Sequence, residues 1–307
     1  MPDELTVSVV IPTRNRPELL ARALASVVQQ THPPHEIVVV DDASTVPYAE
    51  VLAQFAASPV PVRYERHDTS QGGGATRNDG ARLATGDILM FLDDDDTWQP
   101  EKIAHQVAIL AAQPEVGLVY AGRRVVNEAG ELLYTVTPRK AGKLLRDLLQ
   151  GNCIGTTSSV AMRREVFWEA GGFDPEMPAR QDVDLWVRVA RLTQVAFDPE
   201  PTVNYLVTST AGTQITDNAA ANEAAAARMF SKYAAEYAAL SFWDRRKARA
   251  SHYLALANNC ARARSPKAIT YVLCSLLQCP SGEAMRRLLR QAGRVLRRAM
   301  ARGRSQG

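Results

Sequence analysis

The sequence predicts an α/β fold with a mostly parallel sheet, flanking helices and a C-terminal helical extension. Three observations support this. Short β-branched runs alternate with amphipathic segments over the first hundred residues, acidic residues follow the ends of two of these runs, and the chain is alanine-rich beyond about Thr216. Apolar strands alternating with amphipathic helices indicate a parallel sheet covered on both faces.

The predicted elements of the first half follow one another in order. The apolar runs that read as strands are residues 7–11, 37–40, 62–64 and 87–92, and Pro12 is expected to end the first of them. The segments that read as helices are residues 17–30, 48–57 and 75–84.

The second half changes character. Residues 116–126 and 131–136 flank a turn at 127–130 and predict a hairpin. Helices are expected at 143–149, 164–170 and 182–192. The predicted division is one α/β domain over residues 1–212 and a helical region over 213–307.

Composition excludes several classes of protein. The 307 residues are 46% hydrophobic and 22% charged, which excludes a disordered chain, a collagen or a disulfide miniprotein. The four cysteines lack C-x-x-C spacing and are expected to be reduced thiols. The N-terminus resembles no signal peptide, and residues 268–282 are too short and too polar to span a bilayer. We therefore expect a cytoplasmic protein.

Acidic residues stand where two predicted strands end. Asp41 and Asp42 follow the second, and the run 93–96 of four aspartates follows the fourth. Ligands of open parallel sheets bind beyond the carboxyl ends of the strands. Two unit charges ~4 Å apart repel by about 4 kcal/mol at an intermediate dielectric, so the run favours binding of a divalent cation. An all-oxygen ligand set suits Mg²⁺ or Mn²⁺, whereas the alternative is a solvated acidic loop or helix cap.

Four linked motifs resemble the signatures of family 2 glycosyltransferases. They are VSVVIPTRNR at 7–16, EIVVVDDAS at 36–44, ATRNDG at 75–80 and FLDDDDTW at 91–98. The resemblance covers roughly residues 5–210. It implies a GT-A fold, nucleotide-diphosphate sugar donors and inversion of the anomeric centre. It also implies that residues 1–100 bind the nucleotide sugar and 101–212 form the acceptor side.

The resemblance assigns roles around the nucleotide. Pro12, Thr13 and Arg14 are expected to line its pocket. Asp42 resembles the carboxylate that receives the N–H of the base, and Asp41 is expected to fix that loop.

Further roles concern the diphosphate and the metal. Arg77 resembles a basic residue of the nucleotide or diphosphate pocket. Asp95 is expected to bind Mn²⁺ or Mg²⁺ directly, and Asp93 or Asp94 to contact ribose or a metal-bound water, with Asp93 a second candidate ligand. Asp96 is expected to cap the following helix.

The third carboxylate lies downstream. GGFDP at 171–175 and RQDVDLWVR at 180–188 are similar to the family's Gly-Gly-Phe-Asp and Glu-Asp-x-Asp-Leu-Trp region. The family's general base corresponds to Asp182, although Gln181 stands where Glu is commoner. Asp184 lies on a different helix face. The alternative for Asp182 is a carboxylate that only favours the helix N-terminus.

An inverting displacement explains why such groups are needed. A hydroxyl is a weak nucleophile, so a carboxylate must take its proton. The departing nucleoside diphosphate gains negative charge, which a metal and Arg77 would neutralise. No Gly-x-Ser-x-Gly nucleophile motif is present.

Three further features leave alternatives open. The glycine-rich stretch 71–75 is either a close-approach loop or a phosphate contact. The polar segment 152–159 is either near the sugar or a sheet-edge loop. Trp98 and Trp186 are either core residues or sugar-stacking platforms.

The net charge of +3 is unevenly distributed. Residues 281–307 hold eight arginines and one glutamate, a net of +7, which leaves −4 for the rest. Apolar residues recur there at three- and four-residue spacing, so 283–304 predicts a basic amphipathic helix. It would bind an anionic membrane at the inner face, bind an acidic partner, or pack on the domain. Nucleic acid is not expected, because no aromatic platform accompanies the arginines.

The motifs leave several donors and acceptors possible. We expect a UDP-, GDP- or dTDP-linked donor and a glycan or lipid-linked acceptor.

The alternative enzyme class is a haloacid-dehalogenase-like phosphatase, with Asp93 as nucleophile and Asp95 as general acid. That class usually has Gly where Asp96 stands, and its motif usually opens the domain.

Overall fold

The computed structural model describes residues 5–208, 218–263, 265–282 and 285–286. Two compact units can be distinguished in it. The α/β unit comprises residues 5–145, 153–176 and 181–208, and the helical unit comprises 146–152, 177–180 and the described residues from 218 onward. The domain boundary predicted at residue 212 lies outside the described residues.

One mixed sheet contains the nine described strands. They are β1 Val7–Thr13, β2 Glu36–Asp41, β3 Val62–Arg66, β4 Ile88–Phe91, β5 Thr97–Trp98, β6 Val116–Val126, β7 Leu132–Val136, β8 Val160–Arg163 and β9 Gln194–Leu206. Their order is β3-β2-β1-β4-β8-β6-β9-β5, with β7 on β6. The first four strands are parallel, as the sequence predicts, and β8 joins β4 to β6 with antiparallel pairing.

The described helices follow the predicted order. They are α1 Pro17–Val28, α2 Ala49–Gln54, α3 Gly73–Leu83, α4 Lys102–Ala112, α5 Leu145–Gln150, α6 Arg164–Glu169, α7 Gln181–Leu192, α8 Ala219–Lys232, α9 Ala234–Ala239, α10 Phe242–Arg262 and α11 Lys267–Gln278. A short 3₁₀ turn, Thr157–Ser159, precedes β8.

The core forms where apolar strands meet apolar helix faces. Val9 and Val39 on neighbouring strands are fully buried, and so are Leu20, Leu24 and Val27 on one face of α1. Burial of each such side chain contributes roughly 1.5–3 kcal/mol. Helical spacing in α1 therefore fixes which face covers the sheet.

Pro12 does not end β1, contrary to expectation. It lies within the strand, opposite Val40 of β2. Pairing of β1 with β4 reaches only Val10 and Phe91, so the missing proline N–H removes no ladder bond on that side.

The hairpin between β6 and β7 is confirmed. The Asn127 side-chain oxygen accepts hydrogen bonds from the backbone N–H of Ala129 (3.1 Å) and Glu131 (2.9 Å). Gly130 has a φ of 78°, a conformation that glycine adopts without steric cost.

The helical unit confirms the alanine-rich helices predicted beyond Thr216. Its long helix α10 is capped by Ser241, whose hydroxyl accepts from the Asp244 N–H at 3.1 Å. None of the helices in the described ranges combines the length and apolarity needed to cross a bilayer. Apart from residues 285–286, the predicted amphipathic segment 283–304 lies outside the described residues.

Candidate active site

The loops that follow β1 and β4 meet at one edge of the sheet. Parallel pairing of these strands places their carboxyl ends together. The Thr13 hydroxyl donates to Asp94 Oδ2 at 2.8 Å and lies 3.0 Å from the Tyr48 hydroxyl. Thr13 and Asp94, both predicted site residues, are therefore in direct contact.

Arg16 bridges two carboxylates of the acidic loop. Its Nη1 lies 3.1 Å from Asp94 Oδ1 and 3.1 Å from Asp95 Oδ2. Burial would lower the pKa of Arg16, but the two carboxylates raise it. The guanidinium thus stays charged and offsets part of the loop's negative charge. Sequence reasoning missed this role, although Arg16 ends the first motif.

Asp94 is the carboxyl that links the loops. Burial raises its pKa to about 6, while the charge of Arg16 opposes that rise. Thr13 and Arg16 each bond one of its oxygens. Asp94 therefore holds the β1 and β4 loops together.

Asp93 is held from two sides. The Arg77 guanidinium, from α3, forms an ion pair with its carboxylate. The Thr157 hydroxyl lies 2.9 Å and 3.0 Å from the two carboxylate oxygens, and the Asp93 N–H donates to Ser158 Oγ at 3.1 Å. The polar segment 152–159 thus contributes directly to the acidic site.

Three carboxylates gather closely enough to share a cation. Asp93, Asp95 and Asp96 each offer an oxygen within 4.8 Å of the others. Burial, and then the neighbouring carboxylate charges, raise the pKa of Asp95 and of Asp96. A divalent cation would relieve that repulsion, and an all-oxygen donor set suits Mg²⁺ or Mn²⁺.

The expectation that Asp96 caps a helix is wrong. Strand β5 follows it directly, and α4 begins only at Lys102. Asp96 is buried, and its Oδ1 accepts from the Leu206 N–H of β9 at 3.1 Å. It therefore ties the acidic loop to the far part of the sheet.

Asp42 accepts bonds from the glycine-rich loop. Oδ1 accepts from the Gln71 N–H at 2.7 Å and lies 3.2 Å from His67 Nδ1. Oδ2 accepts from the Ser70 hydroxyl at 2.7 Å and the Gly72 N–H at 3.1 Å. Burial would raise the pKa of Asp42, but these hydrogen bonds lower it. Asp42 is therefore ionised near neutral pH.

Arg14 and Asp41 complete this part of the site. Arg14 donates to the Ser70 hydroxyl at 3.0 Å, so it reaches Asp42 through one shared partner. Asp41 is fully buried and accepts from the Ser44 N–H (2.9 Å) and the Tyr64 hydroxyl (2.8 Å). Asp41 thus fixes the loop after β2.

The start of α7 lies beside the start of α3. A Cβ at Gly74 would lie 3.1 Å from the Gln181 side chain, so the glycine permits this approach. Asp182, the next residue of α7, is half-buried. The helix that presents Asp182 therefore begins next to the helix that holds Arg77.

Asp184 is separate from this site. It is fully buried, and its Oδ2 accepts from Arg188 Nε at 3.1 Å and Nη2 at 2.7 Å. Arg188 also donates to the Ala170 carbonyl at the end of α6. Asp184 therefore stabilises the packing of α7, which leaves Asp182 as the more accessible carboxylate.

Both candidate tryptophans belong to the core. Trp98 is 4% exposed and Trp186 is fully buried. Trp98 Nε1 donates to the Ser158 carbonyl at 2.9 Å, which anchors the Thr157–Ser159 turn.

Sequence reasoning also missed a buried lysine beneath this turn. Lys102 is fully buried and donates to Gln106 and, at 3.3 Å, to the Ser159 carbonyl. Its Nζ lies 4.8 Å from the Trp98 ring centroid. Burial lowers the pKa of Lys102 to about 7. A lysine at the start of a helix gives no sequence signal that it is buried.

Comparison with protein-family models identifies the family of this chain. The family model described as "Glycosyl transferase family 2" matches residues 8–171, more than half of the chain. The chain belongs to this family. The family 2 match includes the loops after β1, β2 and β4 and stops before Asp182.

Related proteins agree with this family 2 membership. An uncharacterized glycosyltransferase of Haemophilus influenzae is 31% identical over 196 residues, which cover 63% of this chain and 64% of that protein. The match thus spans less than two thirds of that relative's length.

Two solved structures show the GT-A fold of this chain. The mannosyltransferase PcManGT from Pyrobaculum calidifontis, in complex with GDP-Man and Mn²⁺, gives a TM-score of 0.59 at 20% identity, covering 96% of this chain and 81% of its own. S. aureus TarS 1–349, in complex with UDP-GlcNAc, gives a TM-score of 0.56 at 15% identity. This match covers 92% of this chain and 88% of the TarS chain.

Proposed function

We propose that this chain is an inverting glycosyltransferase that uses Asp182 as general base. It would move a sugar from a nucleotide-diphosphate sugar to an acceptor hydroxyl. The observation that supports this most directly is the meeting of three elements. Gly74 and Gln181 bring the starts of α3 and α7 together, and Arg77 of α3 pairs with Asp93 of the acidic loop.

The nucleotide would bind at the loops after β1 and β2. Pro12, Thr13 and Arg14 line it on one side, and Asp42 accepts an N–H of the base. That N–H would replace one of the four hydrogen bonds that Asp42 now accepts. Residues 1–100 accordingly bind the donor, and residues 101–212 form the acceptor side.

Asp95 and Asp93, with Asp96 beside them, would hold Mn²⁺ or Mg²⁺. When bound, the cation supplies positive charge against the leaving diphosphate. Arg77 adds a second positive charge once the nucleotide draws it from Asp93. PcManGT, a neighbour of the same fold, is in complex with GDP-Man and Mn²⁺, which supports a cation beside the donor.

Asp182 would remove the proton of the acceptor hydroxyl. It lies in the first turn of α7, at the positive end of the helix dipole. The acceptor oxygen bonds to the anomeric carbon as the bond to the diphosphate oxygen breaks. The proton goes to Asp182, and the configuration inverts in one step.

The donor is proposed to be UDP-, GDP- or dTDP-linked, and the acceptor a glycan or a lipid-linked sugar. Neighbours of the same fold bind UDP-GlcNAc and GDP-Man. The chain is proposed to act in the cytoplasm, with residues 283–304 on the inner face of the membrane.

The phosphatase alternative is not favoured. Its nucleophile would be Asp93, which Arg77 and Thr157 hold here. Both Asp93 and Asp95 also fall inside the family 2 match.

A donor panel tests the proposed function. Wild-type chain is incubated with Mn²⁺, UDP-, GDP- and dTDP-sugars and candidate acceptors, and acceptor-dependent release of nucleoside diphosphate is measured. We expect release with one donor class, and a product of inverted anomeric configuration by NMR. A product of retained configuration would contradict the single displacement, and no transfer across the panel combined with phosphatase activity would favour the rival.

A further inference from the structure

Two large apolar side chains at the start of α10 face solvent. Phe242 is 57% exposed and Trp243 is 66% exposed. Their rings pack edge to face, with centroids 5.2 Å apart. Side chains of this size usually bury most of their surface, so an adjacent exposed pair indicates a contact surface.

The end of α11 extends this apolar surface. The Arg246 guanidinium lies 5.7 Å from the Phe242 ring centroid and donates to the carbonyls of Leu277 and Gln278. Leu277 is 74% exposed, and Leu273, one turn earlier, is 46% exposed. We call Phe242, Trp243, Leu273 and Leu277 the aromatic tip.

Cations flank the aromatic tip. Lys247 and Arg249 are exposed in the next turn of α10. The acidic residue of the first turn, Asp244, is buried and pairs with Arg146 at 2.6 Å. The exposed charges on this part of α10 are therefore positive.

We propose that the aromatic tip docks the helical unit on an anionic membrane surface. Tryptophan settles in the headgroup region of a bilayer, where its apolar ring and its indole N–H are both accommodated. Phenylalanine and leucine side chains insert beside it at the boundary with the acyl chains. Lys247 and Arg249 then meet anionic lipid headgroups. Docking of this kind needs no spanning helix and does not depend on the proposed glycosyl transfer.

Cosedimentation with vesicles tests the docking surface. The full chain is mixed with vesicles of phosphatidylcholine, with or without phosphatidylglycerol. We expect binding only with phosphatidylglycerol, and binding that falls as salt rises. Replacing Phe242→Ser together with Trp243→Ser should weaken binding at least about tenfold, and so should Lys247→Glu with Arg249→Glu. Tyr134→Ser, at an exposed aromatic of β7, is the matched control and should leave binding unchanged.

Several outcomes would overturn the proposal. In one, both tip variants bind the vesicles as well as wild type does, whereas the double variant Arg290→Glu with Arg294→Glu does not bind. That result would assign docking to the tail alone. Another is a dimer by light scattering that the tip variants convert to monomer without any vesicle binding, which would assign the tip to a second copy. Thermal unfolding of each variant excludes loss of fold, and the charge-reversal pair tests the surface without altering the aromatic residues.

Discussion

Asn78 and Phe173 lie 95 residues apart in sequence and are joined by two hydrogen bonds of 2.8 Å. The Asn78 amide donates to the Phe173 carbonyl, and the Phe173 N–H donates to the Asn78 oxygen. Gly172 has a φ of 65°, and a Cβ there would lie 2.7 Å from Asn78 Oδ1. One of the four linked motifs, 75–80, and the downstream stretch 171–175 therefore form one joint between α3 and the segment before α7.

Breaking this joint should destabilise the α/β unit. Asn78→Ala would leave the buried backbone groups of Phe173 without their partners, at a cost of about 2–3 kcal/mol. Urea unfolding measures the change. A change below about 0.5 kcal/mol for Asn78→Ala would contradict the joint.

Lys102 should make stability depend on pH in the alkaline range. Its pKa is lowered to about 7 by burial, against 10.5 for the free side chain. Between these values the unfolded chain binds more protons, so stability rises with pH across that window, by up to about 5 kcal/mol. Lys102→Met should remove this rise.

Unfolding free energies of wild type and Lys102→Met near pH 7 and near pH 9 supply the measurement. Subtracting the change in unfolding free energy of Lys102→Met from that of wild type leaves the contribution of the lysine, because the other titrating groups are the same in both proteins. Leu110→Val, in the same helix and fully buried, is the control that should keep the wild-type slope. Equal slopes in wild type and Lys102→Met would rule out a neutral lysine in the folded state.

Asp95→Asn should impair cation binding. Removing one of three clustered carboxylates should raise the Mn²⁺ concentration needed for thermal stabilisation by nucleoside diphosphate at least about tenfold. Differential scanning fluorimetry over a Mn²⁺ series gives that value. Glu50→Gln, an exposed carboxylate change on α2, should behave as wild type. If Asp95→Asn needs the same Mn²⁺ concentration as wild type for this stabilisation, Asp95 is not a metal ligand.

Much of the α/β half is predictable because its signals are local. Buried parallel strands need apolar runs, and helices covering them need apolar faces, so β1 to β4 and α1 to α3 follow from spacing. Parallel strands end at the same edge of a sheet, so the loops after β1 and β4 meet, and Thr13 contacts Asp94 there.

The remaining features depend on contacts between distant residues. The antiparallel insertion of β8 between β4 and β6 leaves no mark in either strand's own sequence. Arg16 and Lys102 have ordinary surface spacing, and only tertiary packing pairs one with carboxylates and buries the other. The sequence predicts Asp96 as a helix cap because acidic residues are common just before helices. Its hydrogen-bond partner is instead the N–H of Leu206, 110 residues further along the chain.

Asp184→Asn is the natural comparison for the proposed base. Asp184 is buried against Arg188, so its substitution should lower stability and leave donor binding intact in the folded fraction. Asp182 is half-buried in the first turn of the same helix, so Asp182→Asn should leave stability near that of wild type.

The most direct test of the central claim is the acceptor-dependent rate of sugar transfer by Asp182→Asn, measured at saturating donor beside its donor dissociation constant. Loss of the general base predicts a rate roughly 10²–10⁴-fold lower with an unchanged dissociation constant. A rate equal to that of wild type would contradict Asp182 as the base.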